Sequence, residues 1–374
     1  MTVSSVKANT ALSARRREPV SNATLLTCIS IGIFLTMYIV AIITLKGGFA
    51  KPQQVFDILN NNAHLIIIAC ALTIVMINGS IDISVAGVVA LVSMVTVMFL
   101  KGRLWPVEGM SDGVRVALAA CIAVGIGLLF GLVQGTLIAY LDIQPFIVTL
   151  AGMFFARGMI TIVSSEPLQL TVNTEPGIME IVQHRIPMMF LGSPNKKGVI
   201  IPARMEVGVI VALLVVLIIA IMLRKTRLGR HFYAVGGNRQ SALTLGINVK
   251  NTRFKAHLIS SLLAGIAGFV FMMHNVSGNA TNATAGEMDA IASSIIGGTL
   301  LSGGVGNVIG TFFGVMILAT IKLIVVASGL REPWWQTITT GAMLCFFILL
   351  QSIVLSQRGR GKMGLPSWLK LKKE

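Results

Sequence analysis

The sequence predicts an all-α, polytopic membrane protein of about ten transmembrane helices, in two inverted halves of five with broken helices near the centre. Three observations predict it. Hydrophobic residues make up 55% of the 374-residue chain and charged residues only 12%, roughly half the ~25% usual in soluble domains. Apolar stretches near the ~20 residues that a spanning helix needs recur along the chain. Two polar, glycine-containing interruptions, 78–84 and 302–307, follow short apolar runs. Irregular backbone at membrane depth is tolerated only where protein buries it or it lines a cavity. The mean hydropathy of +0.84 excludes a disordered chain. So few charges would not cover the surface of a soluble enzyme. The net charge of +16 points to no nucleic acid, because a nucleic-acid binder carries its basic face on a soluble fold.

The first run, Ala23–Leu45, follows Arg15, Arg16 and Arg17. No small-residue cleavage site with a polar mature domain comes after it, so it reads as a first transmembrane helix rather than a removed signal peptide. Ala63–Ile77 is short and ends in the first break. Val85–Leu100, Val116–Leu141 and Pro145–Val163 follow, the last two joined by a turn at 142–144. A polar loop at 164–206 separates these five from Val207–Leu223, Ala256–Met273, the short Ala290–Leu301, Val308–Ala327 and Ile338–Leu355. Five spans on each side make the halves, if related, inverted in topology. The domain division is a basic N-tail (1–22), one membrane domain (23–355) and a basic C-tail (356–374). Cys28, Cys70, Cys121 and Cys345 sit in apolar runs without metal-binding or redox spacing. They read as small buried hydrophobes.

Lysine and arginine set the orientation. The 224–255 loop holds Arg224, Lys225, Arg227, Arg230, Arg239, Lys250, Arg253 and Lys255 and no acid, whereas in loop 164–206 four basic and four acidic residues cancel. Both tails are basic. The N- and C-termini and loop 224–255 are therefore expected in the cytoplasm and loop 164–206 outside. The charge surplus becomes an orientation signal that also faces anionic lipid.

No phosphate-binding G-x-x-x-x-G-K-[ST] loop is present, and no metalloprotease or serine-nucleophile motif. The chain reads as a non-enzyme with no cofactor of its own. Arg157 and Lys322 fall inside apolar spans, where an ionisable residue is a functional candidate by default or a structural pairing group. Asp82 and Asp142 lie in a break and a turn, so the acidic or histidine relay of a proton-coupled transporter is missing from span centres. In the basic loop, Asn238 is placed to cap a short helix from Arg239 to Leu245 and Gly246 to end it. Such a helix suits a partner's groove, or serves as an ordinary capped connector.

The residues of this loop, Arg227-Leu-Gly-Arg-His-Phe-Tyr-Ala-Val-Gly-Gly-Asn238 with Ala242 and Leu245-Gly-Ile247, resemble the ATPase-coupling loop of ribose-type ABC sugar importer permeases. Gly79-Ser-Ile-Asp-Ile-Ser-Val85 is similar to that family's Gly-Gly-Ile-Asp-Leu-Ser-Val segment. Ile143-Gln-Pro-Phe-Ile-Val-Thr-Leu150, continuing to Arg157-Gly158, and Ile291 through Gly-Gly-Thr-Leu-Leu-Ser-Gly-Gly-Val-Gly306 resemble two more of its segments. The match runs in family order from about Phe49 to Leu350. Residues 151–158 and 287–306 look most like one subunit of the galactofuranose importer's permease pair. Asn78 stands where the family has its first glycine, and Ala86 interrupts its Ser-Val-Gly, both beside Asp82.

The resemblance implies a permease subunit of an importer in the bacterial inner membrane. A periplasmic sugar-binding protein would deliver a monosaccharide, of pentose or furanose type. Two permease subunits, identical or different, would form the pathway. Cytoplasmic ABC ATPases, using ATP and Mg, would drive alternating access. Gly237, Asn238, Ala242, Gly246 and Ile247 then belong to ATPase coupling. Asn78, Asp82, Phe146, Arg157 and Glu287 are the candidate substrate pathway, for a sugar needs hydrogen-bonding groups and an aromatic face. Asp82 also suits a helix cap. A same-fold permease for a nucleoside or furanosyl signalling compound and a stand-alone secondary transporter are the alternatives.

Overall fold

The computed structural model describes residues 22–45, 49–107, 109–194 and 200–359. Most of both basic tails, 1–21 and 360–374, lies outside the described residues. The elements in order are α1 (Asn22–Leu45), α2 (Pro52–Ile77), α3 (Val85–Leu100), α4 (Asp112–Ala139), α5 (Pro145–Val163), β1 (Leu168–Gln169), α6 (Pro176–Val182), β2 (Arg185–Pro194), β3 (Ile200–Glu206), α7 (Val207–Lys225), α8 (Arg227–Gly237), α9 (Arg239–Thr244), α10 (Val249–Asn275), β4 (Ser277–Gly278), α11 (Gly286–Ile296), α12 (Val308–Ala327) and α13 (Pro333–Gly359).

Each of the ten apolar stretches forms a helix. Eight of the helices, α1, α2, α4, α5, α7, α10, α12 and α13, are long and apolar enough to cross a membrane. The other two, α3 with 16 residues and α11 with 11, are shorter. The chain is thus an all-α polytopic membrane protein. The first break does not follow a short helix, as the apolar run from Ala63 suggested. Helix α2 starts eleven residues earlier, with Pro52 in its first turn. Its polar first half stays helical because it is bonded to loop 164–206. Asn60 Nδ2 donates to the Arg204 carbonyl (3.2 Å) and Asn60 Oδ1 accepts from Glu206 N–H (2.9 Å). Helix α11 stops at Ile296 rather than Leu301, because the glycines at 297 and 298 end it.

Loop 164–206 is also more structured than its composition suggested. β2 and β3 form an antiparallel hairpin, and β1 pairs with β4 across more than a hundred residues of sequence. Lys101 at the end of α3 donates to the Gln169 carbonyl (2.7 Å) and pairs with Glu175 (3.6 Å).

Helices α2, α3 and α10 fill the centre, with α3 buried along almost its whole length. Helices α1, α4, α5, α7 and α13 turn leucines, isoleucines and phenylalanines outward. That surface suits lipid, which exerts no hydrophobic drive on helix pairs, so close packing must hold them. The α4–α10 seam does this through Gly127, Gly131 and Gly135. A Cβ at Gly131 would lie 2.9 Å from the Leu258 Cα, and one at Gly127 2.5 Å from the Ser261 carbonyl.

Candidate functional site

The two breaks stop their helices in the same way. After α2, Gly79 N–H bonds the Met76 carbonyl (2.9 Å) and Ser80 N–H the Val75 carbonyl (3.0 Å). After α11, Gly298 N–H bonds Ile295 (2.9 Å) and Thr299 N–H bonds Ser294 (2.9 Å). Gly79 and Gly298 both take left-handed φ values, +77° and +92°, which makes each a Schellman stop. The breaks touch each other: Gly304 N–H donates to the Ile77 carbonyl at 2.9 Å. Helix α8 seals the contact. A Cβ at Gly236 would fall 1.8 Å from the Ile77 oxygen and 2.8 Å from the Gly304 nitrogen, so only glycine fits there. Tyr233 Oη donates to the Gly306 carbonyl (2.9 Å). Burial pushes that phenol's pKa up, with Arg224 opposing.

Asp82 lies in the first break and is fully buried. Its Oδ1 accepts from Ser84 N–H (3.0 Å) and Ser84 Oγ (2.6 Å), and its Oδ2 from Ser260 Oγ of α10 (2.8 Å). Ser84 Oγ also reaches Gln134 Oε1 of α4 (3.1 Å). Asp82 is therefore a turn cap and a tie to α10 at once. Asn78 caps α2 and is buried, with neither side-chain polar atom partnered.

Arg157 of α5 grips the loop before α11. Its guanidinium donates to the carbonyls of Ala280 (2.8 Å), Asn282 (2.7 Å) and Ala283 (3.2 Å). That loop holds Ala283 and Ala285 at positive φ, 50° and 60°, a backbone region that costs an alanine roughly 1–2 kcal/mol. Glu287, in the first turn of α11, is within electrostatic reach of Arg157 and has a buried, unpartnered Oε2. Lys322 pairs with Asp289 (2.6 Å) and joins α12 to α11. Phe146 sits apart in the first turn of α5, about half exposed. The structure thus groups Arg157 with Glu287, places Asn78 and Asp82 in one break with no hydrogen bond between their side chains, and leaves Phe146 on the surface.

Loop 224–255 folds into two short helices. Asn238 caps α9, its Oδ1 accepting from Ser241 N–H (2.9 Å). Gly246, at φ +78°, ends it with bonds to Leu243 and, through Ile247 N–H, to Ala242. Gly237 and Gly246 are open to the outside. Ala242 is buried against Val235, Val249 and Ile247, so it holds the loop together rather than facing out. The outward apolar residues are Leu243 (48% exposed) and Leu245 (78%). Sequence reasoning missed them because it looked for small residues. Their position just before the terminating glycine was the available signal. At the base of α9, Asp142 pairs with Arg239 (3.2 Å) and Arg253 (2.7 Å). The Arg253 hydrogen bond, then the Arg239 charge, holds the Asp142 carboxyl below its usual range.

Residues 54–348 match the family described as the permease component of the branched-chain amino acid transport system. This chain belongs to that permease family. It is 37% identical to the inner membrane ABC transporter permease protein YjfF of Escherichia coli, over 86% of this chain and 90% of the relative. It is 33% identical to the fructose import permease protein FruG of Bifidobacterium longum (90% and 93% covered) and 32% identical to the ribose import permease protein RbsC of Bacillus subtilis (86% and 90%). No solved structure matches it. The four segments that carried the resemblance map onto this permease as one assembly. The two Gly-rich segments are the touching breaks, loop 224–255 supplies α8, which packs against them, and α9, and Ile143–Gly158 runs from the turn before α5 to just past Arg157. Among its described residues, no group of three His, Cys, Asp or Glu side chains is placed to hold a metal ion.

Proposed function

We propose that the chain is the membrane-spanning permease subunit of an ABC importer that carries a monosaccharide of pentose or furanose type, galactofuranose among them, from periplasm to cytoplasm. The observation that carries this is the coupling loop. A capped, glycine-terminated helix presents Leu243 and Leu245 outward, while the adjoining α8 is wedged by Gly236 against both breaks. A force on α9 is thereby delivered to backbone at membrane depth. The named fructose and ribose import permeases among the relatives support a sugar as cargo.

In this function ABC ATPases dock on α9 from the cytoplasm and supply the ATP and Mg²⁺ chemistry. A second permease, the same chain or another, completes the pathway, and a periplasmic sugar-binding protein delivers the cargo. The protein sits in the inner membrane with both termini in the cytoplasm. Asn78, Phe146, Arg157 and Glu287 are the pathway candidates. Asp82 serves the break and α10. Gly237, Asn238, Ala242, Gly246 and Ile247 shape the coupling helix.

The test is uptake by the full complex in proteoliposomes, using labelled D-ribose, D-xylose, D-fructose and D-galactose. Uptake that needs ATP inside and the binding protein outside, and stops with vanadate, is expected. Uptake that survives vanadate but collapses with an uncoupler would instead make the chain a secondary transporter.

A further inference from the structure

Asp82 and His257 each lack what the other has. Asp82 is a fully buried carboxylate bonded only by neutral groups, the Ser84 N–H and the Ser84 and Ser260 hydroxyls. No lysine, arginine or histidine nitrogen pairs with it among the described residues. Burying a charge without a cationic partner is among the most costly arrangements in a protein. His257 is also fully buried, and both its ring nitrogens are unpartnered. A buried polar atom without a partner loses its hydration and gains nothing in return. His257 lies on α10 three residues before Ser260, the residue Asp82 now holds, and feels the Asp82 charge. On an α-helix three residues are neighbours on one face, about 4.5 Å apart along the axis.

We propose that Asp82 is a two-position latch, holding Ser260 in the state seen here and His257 in the opposite half of the transport cycle. In the second position an imidazole N–H donates to the Asp82 carboxylate, a charge-assisted bond like the hydroxyl bond it replaces, and His257 gains the partner it lacks here. The exchange needs α10 to advance by close to one turn past the break, the kind of discrete step that packed helices make.

Two features of the fold fit such a step. Helix α4 is locked to α10 by the glycine seam, and it carries Gln134, whose Nε2 is likewise buried and unpartnered beside the latch. One turn before His257 on α10, Arg253 is bonded to Asp142, which also holds Arg239 of the coupling helix. A push on α9 therefore reaches Asp82 through α10. At the far end of α10, His274 bonds Glu206 (2.6 Å) of the outer loop. Asp82, Ser260 and His257 are positioning residues that act on the pathway through α10.

The inference rests on the importer function proposed above, so the test measures both in one preparation. The full complex is reconstituted with wild type, Ser260→Ala, His257→Leu and His257→Gln, matched for membrane abundance. If wild type shows no ATP-driven uptake of the four labelled sugars, the importer function itself fails. If wild type is coupled, Ser260→Ala is expected to raise ATP hydrolysis in the absence of sugar severalfold, because the resting latch is lost. His257→Leu is expected to lower sugar-stimulated hydrolysis and uptake Vmax about tenfold with KM changed less than twofold, because the second latch is lost. His257→Gln, which keeps an N–H donor, restores at least a third of the uptake. The latch is overturned if His257→Leu transports like wild type, if both Ser260→Ala and His257→Leu shift hydrolysis in the same direction, or if His257→Leu changes KM rather than Vmax. A leucine variant too scarce to assay leaves the decision to His257→Gln and a further His257→Asn, whose transport must exceed that of His257→Ala for the latch to stand.

Discussion

The two breaks share a backbone stop but are held in place by different physics. The break after α2 is held by side chains: Asp82 and Ser84 bond across to α10 and α4. The break after α11 is held mostly by backbone, with a side-chain bond from Tyr233 to the Gly306 carbonyl. Gly303 and Gly304, both at positive φ, press against Gly79 and Gly237, and Gly304 bonds Ile77 directly. Side-chain bonds can be exchanged for others at modest cost. Backbone-to-backbone contact with no room for a Cβ cannot. The Asp82 end of the first break is thus the adjustable part, and the backbone contact that joins Ile77, Gly236 and Gly304 is the anvil against which α8 bears.

Three substitutions sharpen or break that contrast. Gly236→Ala carries the largest effect, since its Cβ meets backbone on both sides at 1.8 and 2.8 Å. A loss of about 3 kcal/mol or more is expected, as for other severe overpacking. It would be read as a sharp fall in membrane abundance and in the thermal midpoint of the detergent-purified protein. A midpoint like wild type would show that the backbone contact between the breaks is adjustable too. Asp82→Asn comes next. It keeps one acceptor oxygen for the Ser84 bonds, offers the Ser260 hydroxyl an N–H donor in place of Oδ2, and removes the buried charge, so the midpoint should move by little, roughly within 1 kcal/mol, while ATP-driven uptake drops severalfold. Stability and uptake falling together would make the first break as rigid as the second. Leu245→Asp is the mildest for the fold. The residue is 78% exposed, so stability stays near wild type while stimulation of the partner ATPase falls; unchanged stimulation would mean α9 is not where force enters.

A pH dependence follows from Asp142, at the foot of loop 224–255. Its pKa is depressed by Arg253 and Arg239. A carboxyl lowered on folding contributes stability above its unfolded value, 3.8, and loses it as pH falls through the lower folded value. Hydrogen exchange at 239–244 is therefore expected to stay flat from neutral pH down to about 4 after correction for intrinsic rates, and to rise only below that. A rise already near pH 6 would assign the protection to another group.

Much of this protein was legible in its residues. Membrane class and the places of the apolar helices followed from hydropathy, with eight of them long enough to span, because lipid demands long apolar helices whatever their neighbours. The α9 cap and stop followed from Asn238 and Gly246, because both are local backbone chemistry. Tertiary structure decided the rest. Helix α2 runs through Gln53–Asn62 because the β2–β3 hairpin supplies partners to Asn60 that the local sequence does not show. Ala242 turns inward and the leucines outward because Val235 and Val249 fold back over it. Asp82 reads equally well as a cap or a sugar ligand from its neighbours in sequence. Only the arrival of Ser260, 178 residues later, makes it a tie between a break and a helix, since a hydrogen bond between distant segments is a property of packing and not of composition.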